Sequence, residues 1–544
     1  MKSFKFVYEK NFDIADNYLD NFNCLNDNKD ILLYYCGNVL NCSDIKQKLL
    51  DKGYKLNSNS EEELIIKLYQ EFNIDFIKLI EGEFAFCILD FKQNKVFAFK
   101  SLMSTTQLYY SLVKNKLIIS TTLKEILSLR KNTINNYALE LYMNLRFIPS
   151  PYTIIEGVFK LENGHAIVFD GDKVSKMQLY DIMPSNSKNN NIKDVGRYVV
   201  DSINQSSKHT KESGIFLSGG FDSAIIASIL AKNNKPIKAF SVGYEIDTKF
   251  DETNVAKNIA RDLNLEHLIY KIKNSELLNL LNESIDILEE PFYSTVSVST
   301  LRLAKESSKL VQNIYSGDGS DELFYGYKYL RDALKEDDTL DYYISGLSWL
   351  KELKAKDVLY ESELTNEDVH KMLFNQFESN SKVQLLRVVE MFKRFPDYHL
   401  FRLGKILSIY NLKSILPFTS REVIQFALDV DGKSIMNDND PKINLKSSLE
   451  EYLTKDIKES KKQPFTAPNK EWIEGPLKED LVKVFNNKKL FQVLGLQQNV
   501  CLKILNDYQG QYKDVSNIWG IYMLLKWCER FEKYITKEVN DEEK

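Results

Sequence analysis

The segment SGGFDS that begins at Ser218 has the residue types of a phosphate-binding loop. Gly219 and Gly220 let the backbone approach an anion without a Cβ clash, and a helix predicted directly after them aims free N–H groups at the same point. The Ser218 and Ser223 hydroxyls add donors, and the Asp222 carboxylate can hold Mg²⁺ that bridges phosphate oxygens. No lysine follows the second glycine, so this is not a GxxxxGK[ST] loop. The sequence predicts a phosphate site of another type.

The residues around this loop alternate between predicted strands and helices. Strands are expected within GIFLSGG, IKAFSVGY, HLIYKI and NIYSGDGSDE, and helices within DSAIIASILAKN, DETNVAKNIARDLN and ELLNLLNESIDILEE. This order indicates a mostly parallel, doubly wound sheet with right-handed crossovers. From about residue 330 onward the pattern is largely helical.

The first 180 residues are instead rich in short strands. Apolar or alternating runs such as EFAFCILDFK, QLYYSLVKNKLIIST and GHAIVFDGDKV are broken by polar turns. One helix is predicted within SEEELIIKLYQEF, where Ser60 and the glutamates after it are typical of an N-cap and an acidic first turn. The Asn-rich segment 182–194 is the best linker candidate. The sequence thus predicts two domains of different architecture.

The composition argues against several classes of function. The 544 residues carry 72 Lys and Arg against 77 Asp and Glu, a net charge of −5, which disfavours a dedicated nucleic-acid-binding surface. The start of the sequence has no signal-peptide pattern, and no stretch approaches the ~20 apolar residues that span a bilayer. The six cysteines form no CxxC pair or metal spacing. We expect a reduced, cytoplasmic protein with no structural metal and with neither a nucleic-acid nor a membrane partner.

Several motifs together resemble the asparagine synthetase family, within the ATP pyrophosphatases that adenylate a substrate. SGGFDS is similar to the pyrophosphate loop of the family. Three further motifs in the second half resemble its SGxGxDELF, KxxLR and KxGFxxP sequences, namely SGDGSDELF at 316–324, KINLK at 442–446 and KQPFTAP at 462–468. In the first half, three segments resemble GEIYN, GxFAF and PLYY of class II glutamine amidotransferase domains, namely GNVLN at 37–41, EGEFAF at 81–86 and LYY at 108–110.

The resemblance implies an architecture and cofactors. An N-terminal, glutaminase-like Ntn-type αββα sandwich would occupy residues 1–182. An α/β doubly wound ATP pyrophosphatase (adenine nucleotide α-hydrolase-like) synthetase domain with a helical C-terminal part would follow at 195–544. ATP and Mg²⁺ are the implied cofactors.

The resemblance also implies roles for individual residues. Asp222 and Asp321 would ligate Mg²⁺. Contacts to ATP would come from Ser218, Gly219, Gly220 and Ser223 at the pyrophosphate, and from Leu217, Val242, Ser316 and Gly317 at the nucleoside. Lys442 and Lys462 would neutralise charge developing on the α-phosphate and the leaving pyrophosphate. The alternative is that both lysines are surface charges in a Lys-rich chain.

Asp318 stands where asparagine synthetases have a glutamate thought to handle the proton of the attacking ammonia, and where β-lactam synthetases have a tyrosine. The shorter carboxylate can still accept a proton or orient an amine, which favours an ammonia or amine nucleophile. The alternative is that Asp318 only caps the following helix.

The acceptor pocket departs from the family motifs LxRxDRxS and ExRxPFLD. The replacements are Gly404 for Asp, Lys413 for Glu, Ile415 for Arg, and Thr419-Ser420 for Leu-Asp. The charged framework beneath the site is therefore rebuilt, and aspartate is not a safe substrate assignment. The family's (D/E)EP segment is kept at 289–291.

The glutaminase of the family uses an N-terminal cysteine that removal of the initiator Met exposes. This sequence has Lys2 at that point, and its first cysteine is Cys24. The Arg-Gly-Pro-Asp glutamine clamp is not recognisable between residues 10 and 36, and the Asn-Gly-Glu of the glutamine site becomes CGN at 36–38. We expect that this domain does not hydrolyse glutamine.

The resulting hypothesis is an ATP-dependent, AMP- and pyrophosphate-forming amide synthetase. A small-molecule or peptide carboxylate would be activated as an acyl-adenylate and attacked by ammonia or an amine. Two alternatives stay open: a lactam or macrolactam (peptide cyclase) synthetase of the same family, and a non-catalytic binding protein that kept the fold. The resemblance leaves a homodimer open as well.

Overall fold

A computed structural model describes most of the chain. The described residues are 5–9, 24–58, 60–180, 194–210, 212–377, 379, 381–430, 442–459 and 466–535. Contacts divide the chain into two units, Met1–Asn132 with Ser150–Ile182, and Thr133–Pro149 with Met183–Lys544. The second unit therefore includes a short segment that lies, in sequence, inside the first. The predicted domain ranges 1–182 and 195–544 stay predictions.

The first unit contains two antiparallel sheets and a few helices in its described residues. The strands are β1 Lys5–Glu9, β2 Cys24–Leu25, β3 Ile31–Val39, β4 Gly82–Asp90, β5 Lys95–Lys100, β6 Tyr109–Val113, β7 Lys116–Ser120, β8 Phe159–Lys160, β9 His165–Phe169 and β10 Val174–Gln178. The helices are α1 Cys42–Asp51, α2 Glu61–Phe72 and α3 Leu123–Leu127, with a 3₁₀ helix at Asn73–Leu79. One sheet has the order β1-β7-β6-β8 and the other β10-β9-β5-β4-β3-β2.

Alternation along β3 explains how these sheets pack. Leu32 and Tyr34 join a core that also contains side chains of β1 and β7, so this core lies between the two sheets. Leu33 and Tyr35 point to the opposite face and pack with α1 and α2. On the other sheet, α3 packs against β6 and β7. The expected αββα layering is confirmed.

The start of α2 follows the sequence signal. The hydroxyl of Ser60 accepts a hydrogen bond from the Glu63 N–H at 3.2 Å, and glutamates fill the first turn. The predicted N-cap is confirmed.

The second unit is built on a parallel sheet with many helices in its described residues. The strands are β11 Ser213–Phe216, β12 Ile237–Tyr244, β13 Glu266–Ile272, β14 Asn313–Tyr315 and β15 Lys413–Ile415. The helices up to the sheet's last strand are α4 Asn136–Leu145, α5 Val195–His209, α6 Phe221–Lys232, α7 Thr253–Asp262, α8 Asn274–Leu288, α9 Ser297–Ser307, α10 Ser320–Leu323, α11 Lys328–Ala333, α12 Thr339–Leu347, α13 Ala355–Val358, α14 Asn366–Phe374, α15 Lys382–Val389, the π-helix Glu390–Leu400 and α16 Phe401–Ile409. After it come α17 Arg421–Asp429, α18 Ile443–Ser448, α19 Lys455–Glu459, α20 Asn469–Glu474, α21 Lys478–Phe485, α22 Lys488–Leu494, α23 Gln498–Asn506 and α24 Tyr512–Phe531, with 3₁₀ turns at Pro417–Thr419, Glu450–Tyr452 and Glu532–Tyr534.

The sheet order is β13-β12-β11-β14-β15, with every neighbouring pair parallel. The doubly wound sheet predicted from the sequence is confirmed, and β15 is an additional strand that the sequence pattern did not reveal. The chain moves outward from β11 to β13 and then returns to place β14 on the other side of β11. Ligands of open α/β sheets bind at such a reversal, beyond the carboxyl ends of the two strands.

The segment 133–149 joins the second unit through α4. The Glu140 carboxylate accepts hydrogen bonds from the Ser362 hydroxyl at 2.5 Å and from the backbone N–H groups of Glu363 at 3.0 Å and Leu364 at 3.2 Å. The Trp349 indole N–H donates to the Tyr142 carbonyl at 3.1 Å. These bonds anchor α4 to elements more than 200 residues further along the chain.

Candidate active site

The predicted phosphate loop connects β11 to α6. The Ser218 hydroxyl accepts a hydrogen bond from the Gly220 N–H at 3.1 Å, and the Ser223 hydroxyl accepts one from the Ser218 N–H at 3.1 Å. The first intrahelical bond runs from the Ala224 N–H to the Gly220 carbonyl, so the N–H groups before it point out of the helix end. Most of α6 is buried. Hydrogen bonds to the two serine hydroxyls therefore hold the loop in place at the N-terminus of α6, where the helix dipole provides a partial positive charge.

A second loop follows β14 and touches the first. A Cβ atom at Gly317 would lie 2.7 Å from the Cβ of Asp222 and 3.0 Å from the backbone nitrogen of Ser223. A side chain at this position would push the two loops apart, so glycine is required by the close approach. The switch point of the sheet therefore brings SGGFDS and SGDGSD into direct contact.

Lys442 lies between the two aspartates that were predicted to bind magnesium. Its ammonium Nζ is 2.5 Å from Oδ1 of Asp222 and 2.5 Å from Oδ1 of Asp321. The lysine is only 4% exposed, so the alternative of a surface charge does not describe it. Lys462, the second predicted lysine, lies outside the described residues.

The same geometry tests the fit of a magnesium ion. Two carboxylates converge on one cationic group, and carboxylate oxygens are the ligands that Mg²⁺ prefers. Among the described residues, no group of three or more His, Cys, Asp or Glu is arranged to hold a metal ion. A magnesium ion that shares its coordination with phosphate oxygens and water needs only one or two protein carboxylates. Asp222 and Asp321 fit that requirement.

The two loops open into a pocket of about 200 Å³. Most predicted site residues line it, namely Leu217, Ser218, Gly220, Asp222, Ser223, Val242, Ser316, Gly317, Asp318 and Asp321. Gly219 belongs to the same loop but does not line the pocket. A Cβ atom at this position would lie 3.1–3.3 Å from side-chain atoms of Val255 and Glu252. Lys442 does not line the pocket, but it contacts two residues that do, Asp222 and Asp321. The pocket thus gathers ten of the predicted residues that the structure describes.

The sequence analysis assigned no role to the other lining residues, which are Phe216, Ser241, Tyr244, Phe250, Glu252, Thr253, Ala256, Val296, Thr300, Leu303, Glu322, Tyr327, His399, Arg402 and Leu403. Val296, Thr300 and Leu303 have the spacing of one helical face, a signal that identifies a helix surface but not what it faces. His399 and Arg402 lie at the junction of the π-helix and α16, far from the loops in sequence. Arg402 occupies the arginine position of the LxRxDRxS motif, whereas no local pattern marks His399.

Asp318 does not cap a helix. The start of α10 is capped by Glu322, whose carboxylate accepts a hydrogen bond from the Gly319 N–H at 3.1 Å. The Asp318 carboxylate instead accepts a hydrogen bond from the Ser316 hydroxyl at 2.5 Å. Its other oxygen lies 3.8 Å from Nδ1 of His399. Asp318 is thus held at the pocket surface beside a group that can carry a proton.

Glu322 lies behind His399 and is deeply buried. Burial raises the pKa of Glu322 to about 8, with the neighbouring Asp321 charge acting in the same direction. The Tyr327 hydroxyl donates to the Glu322 carboxylate at 2.7 Å, and Nε2 of His399 is 3.4 Å from it. At neutral pH this carboxyl is mainly protonated, which removes one negative charge from a crowded acidic site.

A buried ion pair is part of the rebuilt framework beneath the pocket. The Lys405 ammonium donates to the Glu289 carboxylate, and both side chains are buried. Glu289 belongs to the EEP segment that the sequence retains. Lys413 and Ile415 lie on β15. Gly404 lies within α16, next to Lys405.

No helix within the described part of the chain is long and apolar enough to cross a membrane.

Comparison with known proteins agrees with this site. Residues 194–529 match the family model for asparagine synthase, and residues 21–180 match the model for a glutamine amidotransferase domain. The chain is similar to a putative asparagine synthetase (glutamine-hydrolyzing) 2 of Methanocaldococcus jannaschii, with 31% identity over 55% of this chain and 60% of that protein. It is also similar to two asparagine synthetases (glutamine-hydrolyzing) of Bacillus subtilis, number 1 at 24% identity over 91% of this chain and 85% of that protein, and number 3 at 22% over 80% and 75%. The sheet order, the two touching loops and the match over 194–529 lead to one conclusion: the chain belongs to the asparagine synthase family.

Proposed function

We propose that the second unit is an ATP-dependent amide synthetase that forms AMP and pyrophosphate. The observation that carries the proposal is the meeting of the two loops at the sheet reversal, where Lys442 bridges Asp222 and Asp321. A phosphate loop, an acidic pair suited to Mg²⁺ and a buried lysine are together suited to attack at the α-phosphate of ATP. Family membership supports the same reaction class.

In the first step, a carboxylate oxygen of the acceptor attacks the α-phosphorus, and the bond to the pyrophosphate oxygen breaks. The N–H groups at the start of α6 and the Ser218 and Ser223 hydroxyls bind the phosphates. Magnesium held by Asp222 and Asp321 would neutralise phosphate charge when bound. The Lys442 ammonium adds positive charge beside the same two carboxylates. The product of this step is an acyl-adenylate.

In the second step, a nitrogen nucleophile attacks the acyl carbon, loses a proton, and AMP leaves. Asp318 is the proposed acceptor of that proton because its carboxylate lines the pocket and is oriented by the Ser316 hydroxyl. Nδ1 of His399 lies 3.8 Å from the other Asp318 oxygen, a distance at which a protonated imidazole stabilises the Asp318 carboxylate.

We further propose that the first unit does not hydrolyse glutamine and that the nitrogen therefore comes from free ammonia or an amine. Its buried thiols are poor nucleophiles: burial raises the pKa of Cys36 to about 12 and that of Cys87 well above its usual value. The pKa of Cys24 is also raised, first by burial and then by the charges of Glu62 and Glu63. For these three thiols the shift in pKa is upward, away from the reactive thiolate.

The remains of the glutamine site support this part of the proposal. Glu61 stands in place of an aspartate of the family. Its carboxylate accepts hydrogen bonds from the Tyr35 hydroxyl and, at 3.1 Å, from the Val39 N–H. A carboxylate with two internal donors has less capacity left for the amine of a glutamine substrate.

The test is AMP and pyrophosphate release from Mg-ATP by the full chain with a panel of carboxylates, with and without ammonium or glutamine. Asp222→Asn should reduce release by about 10²-fold or more, since it removes a charge from the magnesium pair. Asp262→Asn, in an exposed position at the end of α7, is the matched control and should leave release unchanged.

The nitrogen donor that AMP and pyrophosphate release requires distinguishes the possible reactions. Release that needs ammonium and ignores glutamine supports both parts of the proposal. If a carboxylate substrate supports release without ammonium and without glutamine, ring closure within that substrate is indicated. Glutamine-driven release contradicts the statement about the first unit, and ATP binding without release from any carboxylate contradicts the synthetase.

A further inference from the structure

A chain of hydrogen bonds runs across the parallel sheet and ends at the phosphate loop. His267 on β13 contacts the Ser241 hydroxyl on β12, with 2.7 Å between Nε2 and Oγ. The same hydroxyl donates to the Leu217 carbonyl at 2.5 Å. Leu217 follows the last residue of β11 and precedes Ser218, the first residue of the loop. His267 does not line the pocket, so any effect that it has on a ligand is indirect.

The register of the strands makes this chain of bonds possible. Ala239 on β12 lies opposite His267, and Ser241 is two residues further along β12, so Ser241 and His267 point to the same face of the sheet. The pairing of β11 with β12 reaches Phe240, and the Leu217 N–H still donates to the Phe240 carbonyl at 2.9 Å. Leu217 therefore continues the strand by one residue and lies beside Ser241.

The Leu217 carbonyl belongs to the same peptide unit as the Ser218 N–H. That N–H donates to the Ser223 hydroxyl at 3.1 Å, within the loop. Because a peptide unit is planar and rigid, a bond that fixes its carbonyl also fixes the direction of its N–H. Ser241 therefore holds one edge of this unit from the sheet, and Ser223 holds the other edge from α6. The orientation of the peptide unit that begins the phosphate loop depends on both serines.

The donors and acceptors of these groups determine the state of His267. A carbonyl oxygen only accepts, so the single proton of the Ser241 hydroxyl must point to Leu217. Nε2 of His267 must then donate to the Ser241 oxygen. Nδ1 is buried and has no hydrogen-bond partner among the described residues, so a second proton there would be unsatisfied. Burial lowers the pKa of His267, with the Lys257 charge acting in the same direction, which agrees with a neutral ring.

The imidazole restrains the Ser241 hydroxyl. A serine hydroxyl rotates to suit its partners, so without His267 it could turn away from the Leu217 carbonyl. The bond from Nε2 occupies the Ser241 oxygen from the other side and leaves its proton directed at Leu217. Hydrogen bonds in such a chain also polarise and strengthen one another. A change at His267 should therefore be felt at the loop, through a serine that itself lines the pocket.

We propose that His267 is a positioning residue for phosphate binding, and that it acts through Ser241 on the peptide unit that begins the phosphate loop. The ligand group concerned is the polyphosphate of a nucleotide, because the oriented peptide belongs to the loop at the start of α6. This inference rests on the proposed function in one respect, the binding of phosphates by this loop.

The experiment measures dissociation constants of three probes for the full chain in the presence of magnesium: a non-hydrolysable ATP analogue, inorganic pyrophosphate and adenosine. His267→Asn and His267→Leu both remove the donor to Ser241, whereas the longer amide of His267→Gln can still donate. Ser241→Ala is tested alone and combined with His267→Asn. Glu266→Gln, at the exposed neighbouring position on β13, is the control. The melting temperature without ligand is recorded for every variant.

We expect His267→Asn and His267→Leu to weaken binding of the ATP analogue and of pyrophosphate by about tenfold, the effect of one lost hydrogen bond of about 1.4 kcal/mol. Adenosine binding should not change. His267→Gln should restore most of the affinity, and Glu266→Gln should behave as the wild type. The double variant should lose no more affinity than Ser241→Ala alone, because both changes interrupt the same chain of bonds.

Other results overturn the inference. Unchanged pyrophosphate affinity in His267→Asn and His267→Leu would contradict it, and a lower melting temperature with unchanged affinity would assign the histidine to the fold alone. An equal loss for adenosine would assign the effect to the nucleoside, and additive losses in the double variant would contradict a path through Ser241.

The same measurements separate this inference from the proposed function. If pyrophosphate binds in a His267-dependent manner but no carboxylate causes AMP release, the proposed synthetase fails while this inference stands. If AMP is released and the affinity for pyrophosphate ignores His267, the reverse holds. A wild type that binds neither the ATP analogue nor pyrophosphate would contradict both.

Discussion

The two units use their buried polar groups in different ways. In the second unit, Asp318 and Arg402 line one pocket, and Lys442 contacts two other residues that line it, Asp222 and Asp321. In the first unit, Glu61 is bonded to Tyr35 and Val39, and Tyr69 donates to Asp90 within the core. Glu61 and Asp90 are thus bonded within the first unit's own fold, whereas these polar groups of the second unit lie at a pocket that a ligand can enter. The contrast explains why we place the reaction in the second unit alone.

The largest loss of turnover is expected when Lys442 of the second unit is replaced. Lys442→Met leaves Asp222 and Asp321 facing each other without their shared cation, and turnover should fall by about 10³-fold. Magnesium should then raise the melting temperature more in the variant than in the wild type, because it replaces the lost charge. Lys232→Met, which removes an exposed lysine from α6, is the control. Unchanged turnover in Lys442→Met would show that Asp222 and Asp321 act without a lysine between them.

The next largest effect is expected at the contact between the two loops. Gly317→Ala places a methyl group 2.7 Å from the Asp222 Cβ, so the loops must separate and the reacting atoms lose alignment. Turnover should fall by about 10²-fold. Gly346→Ala in α12 is a suitable control, since its nearest neighbour would be the Tyr329 Cβ at an ordinary 3.5 Å. Equal activity of the two variants would contradict the close approach.

The pH dependence of stability should differ between the units. The raised pKa of Glu322 means that the folded state keeps a proton that the unfolded state loses between pH 4.5 and about 8. Stability from this group therefore decreases as pH rises through that window, by up to about 1.4 kcal/mol per pH unit. The free energy of unfolding of Glu322→Gln should rise relative to the wild type across the same window.

Glu63 in the first unit should behave in the opposite way. Burial alone would raise its pKa, but hydrogen bonds from Asn57 and Ser58 outweigh burial and lower it. Glu63 therefore stabilises the fold above its unfolded pKa of 4.5, and that stability is lost as pH falls. Glu63→Gln should thus be destabilising at neutral pH and nearly neutral in acid. The same pH trend for Glu63→Gln and Glu322→Gln would contradict the comparison.

The smallest effect is expected at Tyr35. Tyr35→Phe removes one donor from Glu61 and should cost about 1 kcal/mol of stability. Ammonium-dependent turnover should not change, because the first unit takes no part in it. A loss of turnover with the fold intact would show that the first unit contributes to the reaction.

Sequence patterns predicted the elements that local chemistry defines. The strands β11 to β14 and the loop at Ser218 follow from apolar runs and paired glycines, and Ser60 follows from cap chemistry. β14 and β15 are both three residues long, but β14 leads into the glycine-containing SGDGSD loop, whereas β15 lies in a region whose pattern is largely helical. His399 and Arg402 reach the pocket only because a π-helix containing Pro396 continues into α16. Nothing in the sequence around His399 reveals its place in the pocket, whereas Arg402 belongs to the segment that resembles LxRxDRxS.

The packing of α4 has a consequence for how the protein can be made. Because residues 133–149 belong with the second unit, the chain crosses between units three times, and no single cut separates them. During synthesis, Glu140 emerges well over 200 residues before its partners Ser362 to Leu364. Its carboxylate must stay hydrated until the ribosome has delivered them, so α4 is expected to reach its final packing only after residues 362–364 have been synthesised. A fragment that starts at residue 195 would carry the pocket but lack this helix, and should be less stable than the same residues in the full chain.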